Sequence, residues 1–192
     1  HYNEFLSPVY SWILGDFDNA SRKSAKLFDR LKIHDGAGRL AVDLGAGSGS
    51  QSIPLAQRGY DVVAIDFCEA LLTELATHAG SLPVRAICDD ILRFEQHLER
   101  APQLVVCMGD TLVHLPDRDS VATMLGRVAA SLEPGGRFIY SIRDYVGFEP
   151  KGAERFVPVR ADDEQIFTCF LDYQPDVVHV HDVLHRKVDG SW

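Results

Sequence analysis

Short apolar runs and amphipathic stretches alternate along the middle of the chain. Runs rich in Val, Ile and Leu predict strands at 39–44, 60–65, 82–87, 103–108 and 136–142. Helices are predicted between them, at 50–58, 68–79, 91–99 and 118–131. Strands that alternate with helices indicate βαβ units, in which helices cover both faces of a mostly parallel sheet. The pattern therefore predicts a three-layer α/β sandwich.

The pattern changes on both sides of this core. Near the start, Leu27, Phe28 and Leu31 recur at helical spacing, and Asp18 or Asn19 is the expected N-cap. Near the end, residues 164–173 and 177–186 predict two strands joined by a short turn that contains proline. We interpret them as an antiparallel β-hairpin added to the main sheet rather than as a second domain.

Charge, apolar run length and cysteine spacing argue against several classes of protein. The chain has 192 residues and a formal net charge of -9, which disfavours a protein held mainly by nucleic-acid phosphates or by an anionic membrane. No apolar run approaches the ~18 residues that span a bilayer, and no signal peptide opens the chain. The four cysteines are scattered without a CxxC pair. We therefore expect reduced thiols in a cytoplasmic protein.

A glycine-rich loop follows the first predicted strand, in the sequence AVDLGAGSGSQS at 41–52. Glycine alternates at positions 45, 47 and 49, which allows a ligand to approach the backbone. The dinucleotide fingerprint requires Gly or Ala at position 50, where Ser50 stands. Asp43 precedes the first glycine by two residues, and a carboxylate there suits a ligand that carries an ammonium group. The second predicted strand ends at Asp66, whose carboxylate can accept hydrogen bonds from ribose hydroxyls.

The segment VDLGAGSG resembles the first motif of class I S-adenosylmethionine-dependent methyltransferases of the small-molecule type. The resemblance covers roughly 40–145, and it implies a Rossmann-like sheet of order 3-2-1-4-5 and S-adenosylmethionine as the cofactor. Asp90, followed by Ile91, fits best the family's acid that faces the adenine amino group, and Asp89 is the alternate register; either one could instead cap the next helix. The implied cofactor-binding residues are Asp43, Gly45, Ala46, Gly47, Gly49, Asp66, Phe67, Asp89, Asp90, Ile91, Met108 and Gly109.

The resemblance also points to a substrate side after the fourth strand. A hydroxyl acceptor needs a general base, for which His114 is the first candidate and Asp110 the second. Arg143 either clamps a substrate carboxylate or pairs with a nearby acid such as Asp144. The expected catalytic residues are His114, Asp110 and Arg143, and the expected substrate-binding residues are Tyr2, Tyr10, Thr111, His114, Arg143 and Tyr145. The Asn/Asp-Pro-Pro-Tyr motif of nucleic-acid amino methyltransferases is absent from the sequence.

These features predict a single methyltransferase domain over 1–192. Residues 1–39 form a helical lid, 40–145 bind the cofactor, and 146–192 form a hairpin that covers the substrate. The family core usually continues with a helix and two more strands, so we expect the C-terminal end to be cropped. The expected reaction is methyl transfer to a small-molecule N or O nucleophile, with S-adenosylhomocysteine as product and without a nucleic-acid or membrane partner.

Alternatives remain open at this point. A catalytically silent S-adenosylmethionine-binding module, an NAD-dependent oxidoreductase and a metal-assisted O-methyltransferase using Asp110 all fit part of the pattern. His179, His181 and His185 share one face of a predicted strand, but the outer two are ~20 Å apart, too far for one metal ion. Only His179 and His181 could share an ion, and no further ligands are identified in the sequence. We therefore interpret this face as a polar or half-buried face of a sheet and predict no metal site.

Overall fold

The structure is a computed structural model that describes residues 7–145, 147 and 149–192. The α-helices are α1 Ser7–Leu14, α2 Phe17–Arg30, α3 Ser52–Gln57, α4 Glu69–Ala79 and α5 Arg118–Ser131. The strands are β1 Leu40–Leu44, β2 Asp61–Asp66, β3 Val84–Cys88, β4 Leu104–Cys107, β5 Arg137–Tyr140, β6 Phe156–Ala161, β7 Gln165–Tyr173 and β8 Val178–Arg186. Short 3-10 helices cover Ile91–His97, Thr111–His114 and Gly152–Arg155. The chain forms two compact units, one ending at Ile142 and one spanning Arg143–Trp192. Their assignment to one domain stays a prediction.

The first unit is built on a parallel sheet of order β3-β2-β1-β4-β5, which confirms the predicted α/β class and strand order. β1 is buried along its whole length because helices cover both faces. Alternate residues of β1 enter separate cores: Ala41 packs with Phe28 of α2 on one face, and Val42 packs with Met124 of α5 on the other. Since β1 lies between β2 and β4, the strand order reverses at β1. The carboxyl ends of β1 and β4 therefore flank the position where open α/β sheets bind ligands.

The second unit contains a separate antiparallel sheet of order β6-β7-β8. β7 and β8 are the predicted hairpin, which the structure confirms. The expectation that the hairpin is added to the main sheet was wrong, because β7 and β8 belong to a separate sheet. In that sheet β7 also pairs with a strand that was not predicted, β6. Pro158 and a register shift between Pro158 and Arg160 interrupt β6, which removes the regular alternation that marks a strand in a sequence.

Local details also differ from the sequence-based expectations. Asp16, and not Asp18 or Asn19, caps α2, because its side chain accepts a hydrogen bond from the N–H of Asp18. The segment expected to be a helix at 91–99 is a 3-10 helix capped by Asp90.

All four cysteines are free thiols, and Cys88 is exposed. Within the part of the chain that the structure describes, no helix has both the length and the apolar character to cross a bilayer.

Candidate active site

The glycine loop turns directly from β1 toward α3. Gly45 has a φ of +76°, and a Cβ placed there would lie 2.4 Å from Oγ1 of Thr111. Gly49 has a φ of +94°, and a Cβ there would lie 2.9 Å from the side chain of Leu75. A side chain is therefore excluded at both positions by backbone strain and by packing. At Gly47 a Cβ would lie 3.7 Å from the ring of Tyr10, which is an ordinary contact distance. A side chain at this position is therefore disfavoured by the φ of +51° rather than by crowding.

The backbone N–H groups of the loop are largely bonded within the protein. Gly45 and Ala46 both donate to the carbonyl of Ile65 at the end of β2, at 2.8 and 3.1 Å. Gly49 donates to the carbonyl of Ala46 at 2.9 Å. These bonds fix the loop against the neighbouring strand. The loop therefore acts as a rigid surface for a ligand rather than as a flexible segment that folds around one.

Asp43 is the buried acid of the site. Its side chain is 0 % exposed, and its Oδ2 accepts a hydrogen bond from Oγ of Ser52 at 2.6 Å. Oδ1 is buried and has no hydrogen-bond partner among the described residues. Burial raises the pKa of Asp43 from its ordinary value of 3.8 to about 7, opposed by the Ser52 hydrogen bond and reinforced by the charge of Asp66. An unsatisfied buried acceptor is costly, so a cationic group brought to this loop stabilises the carboxylate.

Asp66 lies at the carboxyl end of β2, beside the loop. Its Oδ2 accepts a hydrogen bond from the N–H of Gly47 at 2.8 Å, and its Oδ1 accepts one from the N–H of Cys68 at 2.9 Å. Burial raises the pKa of Asp66, and these backbone donors oppose that rise. Each carboxylate oxygen keeps a second acceptor position. The next residue, Phe67, is 49 % exposed, which leaves an aromatic surface available beside this acid.

The two acids after β3 have different surroundings. Asp89 accepts hydrogen bonds from the guanidinium of Arg93, from the N–H of Asp90 and from Nε2 of His97, the last at 2.8 Å. These donors, His97 first, lower the pKa of Asp89. Asp90 accepts from the N–H of Leu92 at 2.9 Å and so caps the following 3-10 helix. The structure thus bears out a capping role for Asp90, whereas Asp89 is held by two cationic or potentially cationic side chains.

The end of β4 leads into the predicted substrate side. Gly109 has a φ of +72°, and its N–H donates to Oγ of Ser141 at 2.9 Å. Oγ1 of Thr111 donates to the carbonyl of Met108 at 3.0 Å, so its side chain closes the turn next to Gly45. Asp110 is half-buried, and His114 is exposed at the end of the 3-10 helix. The ends of β1 and β4 are therefore adjacent, as the switch point requires.

Comparison with known proteins identifies the family. A family model described as "Methyltransferase domain" matches residues 41–136, which is half of the chain. The chain belongs to the class I S-adenosylmethionine-dependent methyltransferases. This finding confirms the resemblance carried by VDLGAGSG. S-adenosylmethionine is the cofactor of the family.

Individual relatives span a range of acceptors. The chain is 36% identical over 109 residues to a ubiquinone biosynthesis O-methyltransferase from Methylococcus capsulatus, which covers 55% of this chain and 44% of the relative. It is 27% identical over 152 residues to a glycine/sarcosine N-methyltransferase from Aphanothece halophytica, covering 76% of this chain and 56% of the relative. The chain thus spans about half the length of the curated relatives it matches.

A solved structure shares the fold over nearly the whole chain. An S-adenosylmethionine-dependent methyltransferase from Clostridium acetobutylicum superposes with a TM-score of 0.72 at 21% identity, covering 97% of this chain and 75% of that one. An amino pentose methyltransferase from Micromonospora echinaspora superposes with a TM-score of 0.67 at 17% identity, covering 86% and 74%. These similarities support the methyltransferase fold.

The residues present fit the family's cofactor. Asp43 supplies a buried carboxylate oxygen without a partner, and the glycine loop supplies a surface that side chains at Gly45 and Gly49 would fill. Ser52 and Thr111 also shape this region, although Ser52 was not among the predicted site residues and Thr111 was predicted on the substrate side. A serine at the start of a mostly apolar helix, nine residues after Asp43, is the signal that could have revealed the Ser52 hydrogen bond.

The remaining predicted residues are distributed over both units. Tyr10 of α1 lies against the glycine loop, and Tyr2 lies outside the described residues. In the second unit, Arg143 is exposed and Tyr145 is half-buried. The β7–β8 register places His179, His181 and His185 on one face, as predicted, opposite Asp172, Phe170 and Ile166. Over residues 7–145, 147 and 149–192, no three His, Cys, Asp or Glu side chains are grouped so that they could hold a metal ion.

Proposed function

We propose that the protein transfers a methyl group from S-adenosylmethionine to a nitrogen or oxygen nucleophile of a small molecule. The observation that carries this proposal is the buried Oδ1 of Asp43, which lacks a partner at the glycine loop of a methyltransferase fold. A carboxylate in that state favours a ligand with a positively charged group. The ammonium and sulfonium groups of the cofactor both meet this requirement, whereas the pyrophosphate of NAD is an anion that the carboxylate of Asp43 would repel.

The cofactor contacts follow from the strand ends. In this proposal the amino-acid part of the cofactor lies along the loop formed by Gly45, Ala46, Gly47 and Gly49. Asp66 accepts hydrogen bonds from the ribose hydroxyls, and the exposed ring of Phe67 packs beside adenine. Asp89 faces the adenine amino group with its remaining acceptor capacity, and Asp90 orients Ile91 by capping the turn. Met108 and Gly109 line the boundary toward the substrate.

The chain's own residues orient the acceptor and accept its proton. The bound cofactor supplies an activated methyl group on a sulfonium centre, so the protein needs mainly to align the nucleophile and to exclude water. For a hydroxyl acceptor, His114 is the proposed base and Asp110 the second candidate. For an amine acceptor, loss of a proton before transfer is enough. Thr111, Tyr2, Tyr10, Arg143 and Tyr145 are the proposed substrate contacts.

The relatives support a small-molecule acceptor but differ in the atom that is methylated. Those reported above act, by their names, on a ubiquinone precursor's oxygen and on the nitrogen of glycine or sarcosine. The proposal therefore includes both acceptor classes and no nucleic-acid partner. It also places the protein in the cytoplasm, for which the four free thiols are the support.

Calorimetry with S-adenosylhomocysteine and with NAD tests the cofactor. We expect binding of S-adenosylhomocysteine only; binding of NAD alone would contradict the proposal and favour an oxidoreductase. Turnover with a labelled methyl donor against amine, carboxylate and hydroxyl libraries then separates an enzyme from a silent binding module. Loss of turnover after addition of a chelator would indicate a metal-assisted reaction.

The role of His114 needs its own comparison. We expect His114→Ala to lower kcat by about 10²-fold or more for a hydroxyl acceptor and to leave the affinity for S-adenosylhomocysteine unchanged. His34→Ala is the matched control, because His34 is also exposed but precedes the amino end of β1. Equal kcat values for the two variants would show that His114 is not the general base.

A further inference from the structure

His78, near the end of α4, contacts two distant parts of the chain. Its Nδ1 lies 3.0 Å from the backbone carbonyl oxygen of Ser48 in the glycine loop. Its imidazole ring stacks on the ring of Phe17 at the start of α2, with 3.5 Å between centroids and 12° between planes. One side chain therefore connects the cofactor loop to the N-terminal helices within the first unit.

The hydrogen bond to Ser48 has a defined direction. A carbonyl oxygen only accepts, so the hydrogen lies on Nδ1 and the imidazole donates it. The same peptide unit is held at its other end, because the N–H of Gly49 donates to the carbonyl of Ala46 at 2.9 Å. Both polar groups of the Ser48–Gly49 peptide are thus bonded. A peptide between a buried serine and a glycine with a φ of +94° cannot flip without breaking two hydrogen bonds.

The ring of His78 is itself held in place by the N-terminal helices. Phe17 covers one of its faces, and Asp16 fixes the start of α2 directly before Phe17 by capping the helix. One turn earlier on α4, the carboxylate of Glu74 accepts a hydrogen bond from Oγ of Ser11 in α1. α1 and α2 therefore both pack on the face of α4 from which His78 reaches the loop.

We propose that His78 is a positioning residue for cofactor binding, which rests on the proposed function. Its Nδ1–H holds the Ser48–Gly49 peptide in the conformation that receives the amino-acid part of S-adenosylmethionine. Phe17 fixes the orientation of the imidazole ring. The N-terminal helices thus contribute to cofactor affinity through the loop, in addition to any contact that they make with the substrate.

Two substitutions at His78 separate its two contacts. His78→Phe keeps an aromatic ring on Phe17 and removes the donor. His78→Asn keeps an N–H donor on the atom bonded to Cγ, where Nδ1 stands, and removes the ring. We expect His78→Phe to weaken S-adenosylhomocysteine binding by about threefold to tenfold, the value of one hydrogen bond. His78→Asn should restore most of that affinity. Thr77→Ala, on the neighbouring exposed position of α4, is the matched control.

Two further measurements distinguish positioning from a general loss of structure. In steady-state turnover, His78→Phe should raise KM for the cofactor by the same factor and leave kcat within about twofold, whereas partial unfolding lowers kcat without raising KM. In the ligand-free protein, amide hydrogen exchange over residues 45–52 should be faster in His78→Phe than in Thr77→Ala. This second measurement does not depend on the identity of the cofactor.

The outcomes separate the inference from the proposed function. If the unmodified chain binds S-adenosylhomocysteine but His78→Phe binds it equally well and exchanges its loop amides at the same rate, the positioning role of His78 is refuted and the proposed function stands. If the unmodified chain does not bind S-adenosylhomocysteine, the proposed function fails, and the inference fails with it. Weaker binding by His78→Phe with rescue by His78→Asn supports both.

Discussion

Asp43→Asn should make the free energy of unfolding of the ligand-free protein less dependent on pH. The fold raises the pKa of Asp43 from 3.8 to about 7, so the folded state holds a proton that the unfolded state has already lost between these values. Stability from this group is therefore present at low pH and is lost as the pH rises toward and through 7. Between pH 5 and pH 8 the shift corresponds to a loss of ~2–3 kcal/mol. The amide cannot ionise and escapes that loss.

Urea unfolding at pH 5 and pH 8 measures this effect. Relative to the unmodified chain, the free energy of unfolding of Asp43→Asn should be larger at pH 8 than at pH 5 by ~2–3 kcal/mol, so that the variant gains stability at the higher pH. Groups that titrate in both proteins and do not interact with Asp43 cancel in that difference. Asp163→Asn is a matched control, because it makes the same substitution at an exposed aspartate of the second unit. Identical pH dependence in Asp43→Asn and the unmodified chain would refute the buried-charge argument.

The same substitution should act in the opposite direction on binding. If the carboxylate of Asp43 serves to attract a cationic ligand, Asp43→Asn weakens S-adenosylhomocysteine binding at pH 8 while it stabilises the fold. A buried group whose removal improves stability and damages affinity is retained for function. Calorimetry at pH 8 measures the affinity, and an unchanged Kd would show that the charge of Asp43 has no part in binding.

Four other substitutions test the packing and electrostatics of the structure. Gly45→Ala should lower the free energy of unfolding by ~1–3 kcal/mol, because its Cβ would contact Thr111 and its φ is +76°. Gly47→Ala should lower it less, because no atom crowds a Cβ at that position. Equal losses of stability in thermal unfolding would contradict the packing argument. Asp66→Ala should weaken S-adenosylhomocysteine binding by at least about tenfold in calorimetry, through the loss of charge-assisted hydrogen bonds; unchanged affinity would mean that the ribose assignment is wrong. Arg155→Ala should destabilise the second unit by ~1–3 kcal/mol in urea unfolding. The guanidinium of Arg155 donates hydrogen bonds to the carbonyl of Leu171 and the carboxylate of Asp172, and it lies over the ring of Phe170. A variant as stable as the unmodified chain would show that these contacts contribute nothing to stability.

The sequence predicts the first unit well because its signals are local. Runs of Val, Ile and Leu mark each buried strand, and the 118–131 helix lies where its pattern indicates. The strand order follows from the resemblance and from the handedness of βαβ units. By contrast, β6 was missed because Pro158 and a register shift break its alternation. The cap at Asp16 was missed because two later polar residues also suit a cap position.

The site was predictable where one motif contains it and unpredictable where distant segments meet. Asp43, the glycine loop and Asp66 were found because their spacing along the chain is fixed by one βαβ unit. The contact of His78 with Ser48 joins residues 30 positions apart, and its stacking on Phe17 joins a third segment. A single sequence carries no sign of such contacts, because His78 lies in an ordinary amphipathic helix.

The pre-bonded glycine loop has a consequence for product release. The backbone hydrogen bonds from Gly45, Ala46 and Gly49 hold the loop against the protein itself, so we expect the loop to keep its shape when methyl transfer is complete. The amino-acid and ribose parts that it and Asp66 are proposed to contact are the same in S-adenosylmethionine and S-adenosylhomocysteine. Interactions shared by reactant and product lower both free energies equally. We therefore expect strong competitive product inhibition, so that sustained turnover depends on another reaction that consumes S-adenosylhomocysteine.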